Sequence, residues 1–330
     1  MKKLLGLILV IAMVLSMGLS ATAEEGLKVA VVLSGATGDR SFYDSANEGL
    51  QALVASDLGI QGTLIECKND ASMFTTNLIA AAEDNDIVIA VGWEFWDALT
   101  EYAPQLPDTK FIFIDNGLDG VGDNLMSITY AQNEGSFLVG YIAGKLTETG
   151  KIGAVGGEDS ETINDFIVGY EAGAAYARED CTVQVQYAGT YDDPAKGKEL
   201  ALALYDAGCD IVFQVASRTG EGVFEAAAER GLYAIGVDSD QKYINPDVII
   251  CSMIKQVNLS IEQAVTAYAT EGSWMGGQIW VADMATGLID VGYGDDTMTQ
   301  QVSDELKAEV EEIKAQIING EIEVPTAFAG

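Results

Sequence analysis

The feature that most constrains the fold of this chain is an alternation of short apolar runs with stretches of helical periodicity. An apolar run at 27–33 is followed by Ala46, Leu50 and Leu53 at helical spacing. Further strands are predicted at 64–65, 87–91, 110–114 and 127–130, with helical segments between several of them. Strands that alternate with helices form βαβ units, so the pattern predicts a parallel sheet covered by helices.

After Tyr130 the alternation starts again, which predicts a second unit of the same kind. Its strands are predicted at 152–155, 182–187, 210–215 and 233–237, and the chain then runs through 248–251, a helix and a further strand at 278–281. A last amphipathic helix carries Leu306, Val310, Ile313 and Ile317 on one face. A chain of 330 residues also exceeds what one hydrophobic core usually fills.

These observations predict an α/β protein of two Rossmann-like lobes with parallel sheets joined by a hinge. We place the N-terminal lobe at 24–130 with 253–282, and the C-terminal lobe at 131–252 with 283–330, the last helix being assignable to either lobe. Ligands in open α/β sheets bind beyond the carboxyl ends of the strands. Two facing lobes therefore predict one cleft for a small ligand, as in a hinged solute receptor.

The first 23 residues have the pattern of a secretory signal peptide. Lys2 and Lys3 precede an apolar run from Leu4 to Leu15, and Ala21-Thr22-Ala23 matches the small-residue cleavage pattern. A membrane anchor is the alternative, but the apolar run is shorter than the ~20 residues that a spanning helix needs. We expect cleavage before Glu24 and export to the extracellular face of the membrane or the periplasm. No cysteine lies near the cut, so surface retention would need a partner.

Composition excludes several classes of function. The net charge of −34 would repel nucleic acids and anionic lipid surfaces. The absence of histidine removes Ser-His-Asp and Cys-His catalysis and His-ligated zinc. Four cysteines without C-x-x-C spacing indicate no metal site; we expect small buried side chains, with one disulfide left open in an exported protein. The loop at 34–43 lacks a nucleotide-binding fingerprint, and we expect no cofactor.

Several motifs resemble a known family. Asp39-Arg40-Ser41-Phe42-Tyr43 is close to a D-x-S-F-N motif that opens the basic membrane protein (Bmp/Med/PnrA-like) family of ABC transporter substrate-binding proteins. The resemblance continues in order at 134–141, 151–157, 219–223, 236–241, 252–255 and 319–325. It implies a type I periplasmic-binding-protein fold, a nucleoside ligand with purines favoured, ABC permease subunits as partners, a peripheral position at the cell surface and a monomer.

The resemblance also implies roles for particular residues. Phe42 and Tyr191 would stack on the two faces of a base. Asp238 would accept hydrogen bonds from the ribose hydroxyls, and Lys255 would donate to the ribose and partly neutralise Asp238. From its position at the end of a strand, Asp115 is also a candidate to bond a base edge, with capping of the next turn as the alternative. For Tyr191 a packed core ring is the alternative, and for Asp238 and Lys255 a solvated ion pair.

Other candidate residues lie in the loops after the strands. Gly220 would let the backbone approach the ligand closely, and Trp93 is a candidate for the cleft wall. Two positions depart from the family pattern. Ser34 stands where the family has an acidic residue, and Tyr43 where it has Asn. Both departures bear on how a base would be recognised.

Two other functions fit parts of the sequence. A sugar or sugar-like signal could occupy the same fold, since aromatic rings and a carboxylate also serve a pyranose. An exported hydrolase is the second alternative, although the chain has no G-x-S-x-G elbow and no carboxylate pair marked out by spacing.

Overall fold

The computed structural model describes residues 26–328. The predicted signal peptide at 1–23 lies outside the described residues. Within 26–328, none of the helices combines the length and the apolar character that crossing a bilayer requires.

The described chain alternates strands and helices as the sequence predicts. In chain order the strands are β1 (Lys28–Leu33), β2 (Gln61–Glu66), β3 (Ile87–Val91), β4 (Lys110–Ile114), β5 (Leu125–Tyr130), β6 (Lys151–Gly156), β7 (Thr182–Tyr187), β8 (Ile211–Val215), β9 (Tyr233–Asp238), β10 (Ile249–Lys255), β11 (Ile279–Ala282) and β12 (Ile289–Gly292). The helices are α1 (Phe42–Ala55), α2 (Ala71–Asp84), α3 (Trp96–Tyr102), α4 (Gln132–Leu146), α5 (Glu161–Ala177), α6 (Pro194–Asp206), α7 (Glu221–Arg230), α8 (Val257–Glu271) and α9 (Asp304–Ile318).

The strands form two six-stranded sheets, which confirms the predicted fold class. The first sheet has the order β11-β5-β4-β3-β1-β2, and its strands are parallel. The second has the order β12-β10-β9-β8-β6-β7, in which β12 alone of the described strands runs antiparallel to its neighbour. Central strands such as β3 and β8 are buried along their whole length, as helices on both faces require.

The chain passes between the sheets more than once. Strand β11 returns to the first sheet beside β5, and β12 then pairs with β10 in the second. Helix α8 packs on α1, whereas α9 packs on α4. The predicted crossing near Ser252 falls inside β10, which belongs wholly to the second sheet. The lobe boundaries stay a prediction.

The last helix and the cysteines behave as the sequence indicates. Leu306, Val310, Ile313 and Ile317 are the buried residues of α9. Of the cysteines, Cys67, Cys209 and Cys251 are buried and Cys181 is partly buried, and all are free thiols. The disulfide that the sequence left open does not form.

Helices α4 and α5 pack at very close range through glycines. A Cβ at Gly140 would lie 2.2 Å from the Tyr170 carbonyl oxygen, and one at Gly173 would lie 1.9 Å from that of Phe137. Gly169 meets the carbonyl of Asn133 at 2.1 Å in the same way. Because these neighbours are backbone atoms, no side-chain rotation can make room. The glycines therefore set the distance between the two helices.

We expect the substitution Gly173→Ala to destabilise the protein, since the added methyl group must push the helices apart. Overpacking of this kind costs ~1–3 kcal/mol. Ala175→Ser is the matched control, because it also adds one atom but lies on the exposed side of α5. The free energy of unfolding in urea measures both, and an equal effect of the two substitutions would contradict the packing argument.

Candidate functional site

Residues with unusual backbone angles cluster at one edge of each sheet. Within 26–328, the non-glycine residues with positive φ all follow the carboxyl ends of strands: Arg40 (53°), Lys68 (56°), Asn69 (60°), Asp115 (80°), Ser217 (48°) and Asp238 (64°). Backbone held in this region costs free energy and is concentrated at functional sites. This edge is also where an open α/β sheet binds its ligand.

A cavity lies between the lobes at this edge and encloses about 590 Å³, counted with the part that is open to solvent. Six of the predicted site residues line it: Phe42, Trp93, Asp115, Tyr191, Asp238 and Lys255. The structure thus brings together residues that are far apart in the sequence and lie on both sheets.

Ser34 and Gly220, the other predicted site residues, do not line the cavity. Ser34 is fully buried, and its Oγ shares a hydrogen bond of 2.9 Å with the hydroxyl of Tyr43. A Cβ at Gly220 would lie 1.8 Å from Oε1 of Gln214. The glycine therefore makes room for Gln214, whose amide nitrogen donates to Oε1 of Gln241 at 2.7 Å. The close approach predicted for Gly220 is therefore to the Gln214 side chain and not to the cavity.

Asp39 fixes the N-terminus of α1 and so the position of Phe42. Its carboxylate accepts the backbone N–H groups of Ser41, Tyr43 and Asp44 at 3.0–3.1 Å. It also accepts the hydroxyl of Ser217 from the second lobe at 2.8 Å. Burial raises the pKa of Asp39, and these hydrogen bonds oppose the shift. The loop that carries the D-x-S-F motif is thus held by both lobes.

Lys255 and Asp115 form a buried ion pair between the lobes. The Lys255 Nζ, at the end of β10, donates to Asp115 Oδ1, just beyond β4. The ammonium lies 5.1 Å from the ring centroid of Phe42, 4.8 Å from that of Tyr130 and 5.3 Å from that of Phe166. Aromatic rings attract a cation at this range. The pair and its rings close the inner side of the cavity.

The expected pairing of Lys255 with Asp238 is replaced by a different one. The Asp238 carboxylate accepts the hydroxyl of Ser41, and Lys255 bonds Asp115. Burial raises the pKa of Asp238 to about 6, while the charge of Lys255 and the bond from Ser41 lower it. Lys255 therefore still favours the ionised form of Asp238, but through space. The ends of β4 and β10 face each other across the cleft, which is why Asp115 takes the direct contact.

Several cavity residues were missed by the sequence analysis. They include a glutamate, a serine after β8 and residues at or near the start of α5: Glu94, Ser217, Ser160, Thr162, Ile163 and Phe166. Tyr43, identified from the sequence as a departure from the family pattern, also lines the cavity. Glu94 and Ser217 follow β3 and β8, so the carboxyl-end rule could have found them. Phe166 lies inside a helix, and its helical spacing is that of an ordinary core residue. No local signal could have assigned it to the cleft.

The chain matches the family described as "ABC transporter substrate-binding protein PnrA-like" over residues 27–327. The chain belongs to this family. Its relatives include basic membrane protein A2 of Borrelia garinii subsp. bavariensis, 34% identical over 98% of this chain and 96% of the relative. Another is the ABC transporter nucleoside-binding protein BmpA of Lactococcus lactis subsp. cremoris, 33% identical over 94% and 92% of the two chains.

Solved structures agree with the fold. A solute-binding protein of an ABC transporter system from Aeropyrum pernix K1 superposes with a TM-score of 0.80 at 27% identity, covering 91% of this chain and 94% of that one. A transcriptional activator of the comK gene from Bacillus halodurans has the same fold, with a TM-score of 0.75 at 20% identity over 91% and 100% of the chains. The PnrA-like family consists of substrate-binding proteins, so the chain is not an enzyme and the hydrolase alternative is removed.

The raised pKa of Asp238 predicts a pH-dependent loss of stability in this PnrA-like protein. A shift from 3.8 to about 6 means that the folded state binds the proton more tightly than the unfolded chain. Asp238 therefore destabilises the folded state as pH rises from 4 to 7, by ~3 kcal/mol at most. We expect Asp238→Asn to gain stability relative to wild type over that range.

Urea unfolding of ligand-free protein at pH 4, 5, 6 and 7 measures this difference. Asp119→Asn is the control, because Asp119 is exposed. Parallel stability curves for wild type and Asp238→Asn would contradict the burial argument.

The ion pair predicts a strong coupling between Lys255 and Asp115. Lys255→Met leaves the Asp115 carboxylate without its cation, and breaking a buried pair in this way costs ~3–5 kcal/mol. The double substitution Lys255→Met with Asp115→Asn should cost less than the sum of the two single ones. The double-mutant cycle is measured from the unfolding free energies of wild type, the two single variants and the double variant. Strictly additive effects would show that the two groups do not interact.

Proposed function

We propose that this protein is the exported receptor of an ABC importer, which binds a purine nucleoside in the interlobe cleft and delivers it to the permease. The observation that carries the proposal is the lining of the cavity. Aromatic rings come from both lobes, and buried charged groups lie on its inner side. The nucleoside-binding relative from Lactococcus lactis supports the ligand class.

The base would lie between Phe42 and Tyr191. Phe42 is half-buried at the start of α1 in the first lobe, and Tyr191 is half-buried in the loop after β7 in the second. Ile163 and Phe166 add apolar surface to the same cavity. Stacking on rings suits a flat base because it buries a large area at little cost in side-chain entropy.

The sugar would lie at the inner side of the cavity. Asp238 is an acceptor that two vicinal hydroxyls can share. The ammonium of Lys255 has three protons, of which the bond to Asp115 uses one, so it can also donate to a ribose oxygen. An ionised Asp238 serves this role best, and its pKa of about 6 keeps it ionised at neutral pH.

Direct contacts between the lobes support release by opening of the hinge. Ser41 donates to Asp238, Ser217 donates to Asp39, and the Gln241 amide donates to the Arg40 carbonyl at 3.0 Å. These hydrogen bonds and the Lys255–Asp115 ion pair join the lobes around the cavity, and all of them can break without unfolding either lobe. The permease would take up the ligand from the open form. We also propose that the segment 1–23 directs export and that the protein acts as a monomer at the cell surface.

Calorimetric titration tests the proposal on protein that has been unfolded and refolded once to remove carried-over ligand. Adenosine, guanosine, inosine, uridine and cytidine are compared with ribose, glucose and free bases. We expect saturable binding of purine nucleosides and no comparable binding of ribose. Phe42→Ala should weaken binding by about 5–150-fold, because base stacking contributes ~1–3 kcal/mol.

Tyr233→Ala is the control, since this exposed ring lies outside the cavity. Binding of a sugar with no nucleoside bound would replace the proposal by the sugar-receptor alternative. Equal losses for Phe42→Ala and Tyr233→Ala would remove Phe42 from the site.

A further inference from the structure

Glu94 places a carboxyl group on the cavity wall with one oxygen unsatisfied. It follows Trp93 in the short turn after β3 and lines the cavity. Within residues 26–328, its Oε2 is buried and no donor lies in hydrogen-bond geometry. A buried acceptor left without a donor costs ~1–3 kcal/mol or more when charged. Such a group inside a binding cavity indicates that the ligand supplies the missing donor.

Among residues 26–328, none of the groups around Glu94 forms a hydrogen bond to this oxygen. The nearest hydroxyl is that of Ser34: a Cβ at Gly92 would lie 2.3 Å from Ser34 Oγ and 2.4 Å from Glu94 Oε2. Ser34 Oγ and the Tyr43 hydroxyl are already bonded to each other. Among the described residues, Lys255 is the one cationic side chain that lines the cavity, and it bonds Asp115.

Electrostatics at this end of the cavity also favour a donor. Burial raises the pKa of Glu94, the backbone N–H of Glu94 and the Ser34 hydroxyl oppose the shift, and the carboxylates of Glu158 and Asp115 add to it. An acceptor of the ligand, such as a ring nitrogen or a carbonyl oxygen, would therefore face negative charge here. A ring N–H or an amino group would face a carboxyl group whose Oε2 forms no hydrogen bond within the described residues.

Glu94 and the groups proposed to hold the sugar are carried by different elements. Glu94 follows β3 beside Ser34, and its charge acts on Tyr43 and Tyr191, whereas Asp238 ends β9 and Lys255 ends β10. A nucleoside with its ribose at Asp238 and its base between the rings would direct a base edge towards Glu94. This step rests on the proposed function. Asp115, the residue expected to bond a base edge, is instead engaged by Lys255.

The purine bases differ in the hydrogen-bonding groups that they present on the edge directed towards Glu94. Guanine presents a ring N1–H and a 2-amino group side by side, and the two oxygens of a carboxylate can accept both. Hypoxanthine, the base of inosine, presents the N1–H alone. Adenine presents an unprotonated N1, which is an acceptor, beside its 6-amino group. The carboxylate is therefore expected to bind guanine more tightly than hypoxanthine, and hypoxanthine more tightly than adenine.

We propose that Glu94 is the residue that determines base specificity in this protein, and that it selects 6-oxopurine nucleosides, guanosine first, by accepting the N1–H and the 2-amino group. Two hydrogen bonds to a charged acceptor, each worth ~1.5–3 kcal/mol, exceed what adenine can form with the same group. We expect guanosine to bind about 10–100-fold more tightly than adenosine, with inosine between them.

Calorimetric titration of guanosine, inosine and adenosine tests this on wild type and on Glu94→Gln. In Glu94→Gln the amide can donate to N1 of adenine, so the preference for guanosine should shrink at least tenfold and adenosine should gain. Glu158→Gln is the matched control: it removes a nearby carboxylate that does not line the cavity, and the wild-type order should remain.

The outcomes separate this proposal from the function on which it rests. Nucleoside binding with adenosine equal to or tighter than guanosine in wild type would overturn the role of Glu94 and leave the receptor function intact. An unchanged ratio of guanosine to adenosine affinity in Glu94→Gln would also overturn the role of Glu94 and leave the receptor function intact. Failure of every nucleoside to bind wild type would overturn the proposed function itself. The wild-type ranking stands as a test even if the variant folds poorly.

Discussion

The buried ion pair between Lys255 and Asp115 is the interaction on which the rest of the site depends. It joins the end of β10 in the second sheet to the end of β4 in the first. The pair therefore fixes the distance between the two lobes at the inner side of the cleft. Three aromatic rings lie 4.8–5.3 Å from the ammonium, and the Lys255 side chain is buried. A buried pair of this kind adds little net stability but is costly to break on one side only. It therefore acts as a constraint on geometry more than as a source of stability.

Lys255 bonds Asp115, and two other carboxyl groups of the cavity keep free acceptor capacity. In the part of the chain that the structure describes, Asp238 accepts only the Ser41 hydroxyl, and Oε2 of Glu94 has no donor. The rings of Phe42 and Tyr191 line the same space. A ligand that is flat and apolar in the middle and rich in donors at both ends satisfies this arrangement, and a nucleoside with a 6-oxopurine base has that form.

The two departures from the family pattern turn out to be one feature. Ser34 and Tyr43 were identified from the sequence as separate substitutions, but their hydroxyl groups share a hydrogen bond behind the cavity wall. Glu94 then places a carboxylate beside Ser34, the position where the family pattern has an acidic residue. Only the structure could show this, because residues 34, 43 and 94 come from three different segments and meet through the packing of β1, α1 and the turn after β3.

The sequence by itself determined the two parallel sheets, the carboxyl-end edge that carries the site, and six of the residues that line the cavity. The sheets and the edge follow from local periodicity and from the rule that ligands bind beyond strand ends, both of which act over short stretches of chain. Residues such as Phe42 and Tyr191 came from the resemblance of short motifs to the family. The tertiary structure decided which carboxylate Lys255 bonds, that Gly220 makes room for Gln214, and that Phe166 and Glu94 line the cavity. Those outcomes depend on distances across the cleft between segments far apart in sequence, and no pattern within one segment carries that information.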